Sequence, residues 1–315
     1  MKFLWLGLLL LFTFDVAAKQ ARVALILMGQ THEYWHALRA GANDVAKRQE
    51  LQLLNMDPLY ENQSDSQEGL VYRAVEMGVD GIVIAPSDSL MLQESLKYAM
   101  EKDVQVVLVD SGLSINSDIP VIATDNFAAG QEMAKLIKSE NVAGGKVVIL
   151  GLPTKVASTL ARVEGLVSEL KGHATIARHH LDLLSIGEAF RVLEQIESDL
   201  LTADVVFACN ESSTKAMLSW YDSRPNVTPK LYGFDMAPTI LAALKSRELN
   251  AVAVQDPYTM GEKAVTHLHS MLHPHPHGQE LKLEGMSPPF YLVTPKLLES
   301  QSYDKRLSRY LKTTH

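Results

Sequence analysis

The chain has 315 residues, 47% hydrophobic and 21% charged, with 29 Lys and Arg against 37 Asp and Glu and a formal net charge of −8. So many apolar residues can offset the entropy of ordering a backbone, which excludes a disordered chain, and the acidic balance argues against a phosphate-backbone binder, which needs clustered cations. One cysteine, Cys209, rules out an intramolecular disulfide framework and any site built from several thiolates.

Residues 1–18 stand apart from the rest. Lys2 precedes an apolar run over 3–14, and Val16-Ala17-Ala18 follows it, the three regions of a secretory signal. The run is shorter than the roughly 20 residues of a membrane span. No cysteine stands at the cleavage point to carry a lipid. The mature protein is expected to start near Lys19, soluble and outside the cytoplasm.

Beyond the leader, β-branched apolar runs alternate with stretches of helical period. A strand over 23–27 leads to a helix over 33–50, in which Tyr34, Leu38, Ala42 and Val45 form one apolar stripe. Strands over 51–56, 81–85 and 104–109 alternate with helices over 67–77 and 90–102. A strand-like 121–124 then precedes a helix over 127–139. In the second half, strands over 146–150, 174–179, 205–209, 231–234 and 251–254 interleave with helices over 158–170, 186–201, 211–221, 238–246 and 258–272. After 272 come the string HPHPHG, a strand-like 290–293 and a polar helical end. Nearly all the strands lack polar alternation, as strands covered on both faces do.

Repeated β-α units give a parallel sheet with helices on both faces. Single cores stop growing near about 250–300 residues, so the expected architecture is two doubly wound α/β lobes. A TIM barrel shares the alternation, but the segment 110–126 interrupts the even rhythm a closed barrel requires.

The loudest motif is His32-Glu33-Tyr34-Trp35-His36, an H-E-x-x-H, and a zinc hydrolase is the alternative it offers. The string falls at a strand-to-helix turn, with His32 ahead of the helix, and Arg39 stands where the longer metzincin form needs Gly. His267, His269, His273, His275 and His277 resemble a metal cluster in composition. No carboxylate or thiolate shares their spacing, so a Pro-stiffened loop is favoured. Phosphate-cradling glycine loops and a G-x-S-x-G elbow are missing, and Cys209 ends a buried-looking strand as a small core residue.

What remains is a set of polar residues where strands end. Gln30, His32, Tyr34 and Trp35 follow the first strand, Asp88 the third, Asp110 and Ser111 the fourth, and Thr124, Asp125 and Asn126 the crossover. Asn210, Asp235 and Gln255 do so in the second half, with Arg162 in the helix after 146–150. Singly, each is a helix cap or turn residue. Together they place carboxylates, amides and a guanidinium at the carboxyl ends of open parallel sheets, where ligands bind. These groups hydrogen-bond vicinal hydroxyls, while Tyr34 and Trp35 offer flat apolar faces to a sugar ring. The set has no nucleophile–base pair, which points to recognition without reaction.

Seven strings in order carry a resemblance: Ile84-Ala-Pro-Ser-Asp88, Val109-Asp110, Ile122-Ala-Thr-Asp-Asn126, Arg162-Val-Glu-Gly165, Val206-Phe-Ala-Cys-Asn210, Gly233-Phe-Asp235 and Val254-Gln255. They resemble the type I periplasmic binding proteins of the ribose/galactose-binding family over essentially the whole mature chain. The resemblance implies that Asp110, Arg162, Asn210, Asp235 and Gln255 hydrogen-bond a sugar and that Tyr34 and Trp35 stack on it. Asn126 stands beside them, and Gln30, His32, Asp88 and Ser111 are secondary candidates. It further implies a periplasmic monomer without cofactor or resident metal, closing on its ligand by a hinge near 124–126, 255–257 and 285–288. The N-terminal lobe would comprise 19–124 and 257–286, and the C-terminal lobe and tail 125–256 and 287–315.

Ribose binders of this family carry Asn-Asn before the aromatic pair, Arg after the matched Asp110 and Phe at position 183, whereas this chain has Thr31-His32, Ser111 and Leu183. The resemblance therefore points to another monosaccharide or a small polyol rather than ribose. The implied partner is an inner-membrane ABC permease. Tyr34-Trp35 and Ser287-Pro-Pro-Phe-Tyr-Leu-Val-Thr-Pro295 are also similar to periplasmic partners of sensor histidine kinases, which offers a sensory alternative.

Overall fold

The computed structural model describes residues 20–59, 64–113, 117–140, 143–151, 156–181, 186–274, 287–302 and 305–311. The leader, Leu183, His275 and His277 lie outside them.

The first half runs β1 (Arg22–Ile26), α1 (Glu33–Arg48), β2 (Gln52–Asn55), α2 (Ser64–Glu76), β3 (Gly81–Ile84), α3 (Leu92–Glu101), β4 (Gln105–Val109) and β5 (Val121–Ile122). Its strands pair in the order β2-β1-β3-β4-β5, all parallel. Alternate side chains leave a strand on opposite faces. Val23, Leu25, Val83, Val107 and Val109 therefore pack under α1, while Ala24, Ile26, Ile82, Ile84 and Leu108 pack under α2 and α3. Covering both faces is why the sequence shows continuous apolar runs here.

The second half runs α4 (Asn126–Ser139), β6 (Lys146–Leu150), α5 (Ala157–Leu170), β7 (Thr175–His179), α6 (Ile186–Gln195), α7 (Glu197–Leu201), β8 (Val205–Ala208), α8 (Glu211–Asp222), β9 (Lys230–Phe234), α9 (Pro238–Ser246), β10 (Ala251–Val254), α10 (Pro257–Leu272), β11 (Tyr291–Val293), α11 (Pro295–Ser300) and α12 (Lys305–Leu311). Its sheet has the order β11-β10-β9-β8-β6-β7. Only β11 is antiparallel among the described pairings. Two open parallel sheets, each with helices on both faces, make two α/β lobes and displace the closed barrel.

Three expectations change in detail. Edge strands β2 and β7 are largely unburied, because each has a single strand neighbour. The helix expected over 186–201 breaks at Ile196, whose φ of −106° and ψ of 15° leave the helical region; Glu197 and Asp199 then supply the acidic first turn of α7. The polar end becomes two short helices divided after Ser300.

The chain changes lobes at the connections. After β5 of the first sheet, α4 packs on α5 beside the second. Its approach is close: a Cβ at Gly130 would lie 2.0 Å from the Arg162 carbonyl oxygen, and one at Gly165 2.0 Å from that of Phe127. After β10 of the second sheet, α10 returns to the first, burying Met260, Ala264, Val265 and Leu268 against α1. The terminal α12 buries Leu307 in the core of the second lobe. From there Tyr310 donates a 2.6 Å hydrogen bond to Asp256, at the start of α10. No described helix is long and apolar enough to cross a membrane.

Candidate functional site

Asp110 and Asp235 occupy equivalent places, each the first residue beyond its strand, β4 and β9. Both have left-handed backbones, φ 65° and φ 68°, a conformation Asp adopts more readily than most residues but at some cost. The turn leaves each carboxylate buried at the carboxyl edge of its sheet.

From these two anchors a buried polar cluster extends. The Tyr34 hydroxyl, from the first turn of α1, donates to Asp110 Oδ1. Gln255 Nε2 donates to Asp235 Oδ1 at 2.7 Å. Arg162, 2% exposed, donates from Nε to Asn126 Oδ1 at 2.8 Å and from Nη1 to the Cys209 carbonyl at 3.0 Å. Its guanidinium lies 3.9 Å above the Phe234 ring, with Nη1 also 3.9 Å from Asp235. Asn126 is itself held by donating to the Thr124 carbonyl at 3.0 Å. Two buried acceptors, Gln255 Oε1 and Thr124 Oγ1, have no hydrogen-bond partner among the described residues.

Burial sets the electrostatics. It raises the Asp235 carboxyl from the ordinary 3.8 to about 7, against the opposing pull of Arg162 and the Gln255 hydrogen bond. Burial, with Asp110 and Asp235 beside it, also holds the Tyr34 phenol well above 10.0. The Cys209 thiol is pushed up to about 12 by burial and donates to the Gly151 carbonyl, which suits a core residue and not a nucleophile.

The structure thus gathers Tyr34, Asp110, Asn126, Arg162, Asp235 and Gln255 into one cluster. Trp35 lies beside it, edge-on to Tyr34 with ring centroids 4.8 Å apart, and sinks into the first lobe's core. Asn210 is adjacent through Cys209, but its side chain caps α8, accepting from the Ser213 amide at 3.0 Å. Ser111 accepts from the Ser158 amide at 3.2 Å. Asp88 caps the turn before α3, accepting from Leu90 and Met91. Gln30 does not join: it is exposed and donates to the Asp57 carbonyl at 2.8 Å, because the turn before α1 faces it toward the loop after β2.

The H-E-x-x-H string does not form a zinc site. His32 is the N-cap residue of α1 and stands 3.5 Å from Glu211, while His36 lies on the helix surface 3.4 Å from Arg39 Nη1. The two imidazoles face different partners. Of the later histidines, His267 is buried, and the rings of His269 and His273 lie 4.7 Å apart with their planes tilted by 53°. No cluster of three or more His, Cys, Asp or Glu able to hold a metal occurs among the described residues.

A cavity of about 290 Å³ adjoins the cluster, walled by Tyr34, Asp235 and Gln255 on one side and by Arg309 and Tyr310 of α12 on another. Sequence patterns missed this covering by the tail. They also missed Glu211, 3% exposed, whose neighbour Asn210 at a strand end was its only local signal.

A family model described as a periplasmic binding protein domain matches residues 23–273. The ribose import binding protein of Bacillus subtilis is 25% identical over 286 residues, 88% of each chain. An ABC transporter solute-binding protein of Agrobacterium vitis with bound D-fucose superposes with a TM-score of 0.82 at 24% identity, over 92% of this chain and 99% of that one. A Caulobacter myo-inositol-binding protein bound to myo-inositol gives 0.79 at 22% identity, over 91% and 97%. Two parallel-sheet lobes, a polar cluster drawn from the strand ends of both, and a family match over most of the chain agree: this chain belongs to the periplasmic binding protein family.

Proposed function

We propose that the protein captures a monosaccharide or similar small polyol between its lobes and delivers it to a membrane ABC transporter. The observation that carries this reading is the buried cluster around Arg162 and Asp235 with two orphaned acceptors, Gln255 Oε1 and Thr124 Oγ1. An unsatisfied buried polar group costs about 1–3 kcal/mol, and a polyol hydroxyl, which both donates and accepts, removes that cost. Asp110, Asn126, Arg162, Asn210, Asp235 and Gln255 bind hydroxyls, and Tyr34, backed by Trp35, meets the ring's C–H face. The lobes comprise 19–124 with 257–286 and 125–256 with 287–315, and turn about the connections between them. Ligands of the similar proteins are varied: ribose import in Bacillus subtilis, D-fucose in Agrobacterium vitis, myo-inositol in Caulobacter. With Ser111 following Asp110 in place of a second guanidinium, the ligand differs from ribose.

The test is a thermal-shift screen against monosaccharides and cyclic polyols, followed by calorimetry on the best ligand. A ligand present at about 100 times its dissociation constant stabilises the folded protein by about 2.7 kcal/mol. Arg162→Ala and Asp235→Ala are expected to abolish binding while the far-UV spectrum is retained, since each leaves ligand hydroxyls buried without partners. A screen in which no sugar or polyol stabilises the protein, or variants that keep wild-type affinity, would overturn the reading.

A further inference from the structure

Helix α1 begins at a residue that does not cap it. His32 occupies the N-cap with extended backbone, φ −100° and ψ 143°, and makes no side-chain bond to the first turn. The free amides of such a turn carry partial positive charge and seek an acceptor. The acceptor comes from the other lobe. Glu211, first residue of α8, takes the Tyr34 amide on Oε2 at 3.4 Å and lies 3.5 Å from His32 through Oε1. Within α8, Lys215 donates to Oε1 and keeps the charge in place. Burial pushes this carboxyl upward, but His32 and Lys215 outweigh it and hold it below the ordinary glutamate value. Tyr34 is also the residue that grips Asp110, so the foreign cap bears directly on the aromatic wall of the cluster.

We propose that Glu211 is a closure latch, a positioning residue that caps α1 from the opposite lobe and so holds the two lobes together. Opening the cleft separates Glu211 from α1 and leaves the helix end to water; closing it restores the cap. Resting on the ligand-capture reading, the latch also sets how slowly a bound sugar escapes, because release requires breaking a buried charged contact. Such contacts act on dissociation more than on association.

Two measurements on Glu211→Ala, Glu211→Gln and Glu211→Asp test this. Small-angle X-ray scattering of the ligand-free proteins needs no sugar: the radius of gyration should be larger in Glu211→Ala than in wild type, intermediate in Glu211→Gln and partly restored in Glu211→Asp. Stopped-flow binding then uses whichever of D-ribose, D-fucose or myo-inositol stabilises the wild type most. Dissociation should quicken on the order of tenfold in Glu211→Ala with association little changed. A ligand-free wild type already as expanded as Glu211→Ala, or equal dissociation rates, would overturn the latch. If no sugar binds the wild type, the capture reading fails and the scattering comparison still decides the latch. A variant that only lost stability would lower its unfolding midpoint while leaving the radius unchanged, which also counts against it.

Discussion

Asp235 shows how a residue proposed to bind ligand can work against its own protein's stability. The unfolded chain releases this proton near pH 3.8 and the folded protein near 7, so between those values the folded state holds the extra proton. Stability from this group therefore falls as pH rises through that window. Asp235→Asn removes that dependence. Calorimetry of the ligand-free variant should show an unfolding midpoint above wild type at pH 8, by roughly 2–4 °C or more, and a flatter profile between pH 4 and 7. The same variant should lose ligand binding. A midpoint below wild type at pH 8 would mean that Arg162, 3.9 Å away, stabilises the carboxylate more than burial penalises it. Arg162 is placed for geometry as much as for charge, since it is forked between Asn126 and Cys209 and laid on Phe234. Arg162→Lys keeps the charge without the fork and should weaken binding nearly as much as Arg162→Ala.

The pairing of α4 with α5 is what fixes that guanidinium. Gly130 and Gly165 let the two helices approach until each would-be Cβ meets the neighbour's backbone at 2.0 Å, contacts no side chain can yield to. Gly130→Ala should cost about 1–3 kcal/mol or more, as overpacking does, and should shift Arg162 as well. Urea unfolding measures the first effect and calorimetry with ligand the second; wild-type values in both would show that the helices separate freely. These elements also separate what was legible in the sequence from what was not. The apolar runs over 81–85 and 104–109 marked strands buried on both faces, as β3 and β4 are. The run over 51–56 reads the same way despite Gln52 and Asn55, yet β2 is an edge on which those two residues are exposed, because position within a sheet depends on partners distant along the chain. The break at Ile196 likewise lay inside an uninterrupted helical period.

Across the molecule, the C-terminal helix ties the lobes' junction together. Leu307 is seated in the second lobe, whereas Arg309 lies 3.8 Å over the Tyr258 ring and Tyr310 reaches Asp256, both residues at the start of the helix that returns to the first lobe. Asp256, fully buried, also caps α10 through Thr259. Tyr310→Phe leaves one acceptor bond of that carboxylate unfilled and should lower stability by about 1 kcal/mol, read as a reduced urea midpoint with unchanged slope. An unaltered midpoint would show that water replaces the hydroxyl without loss.

Periodicity and side-chain chemistry are local properties, and they were enough to reveal two α/β lobes and to single out Asp110, Asp235 and Gln255 at strand ends, with Arg162 on the helix after β6. They could not supply strand order, the edges, the cap that Glu211 extends to a helix 177 residues away in sequence, or the tail's hold on Asp256. Those depend on which distant segments meet, and no local pattern encodes a meeting whose energy exists only once both lobes have folded.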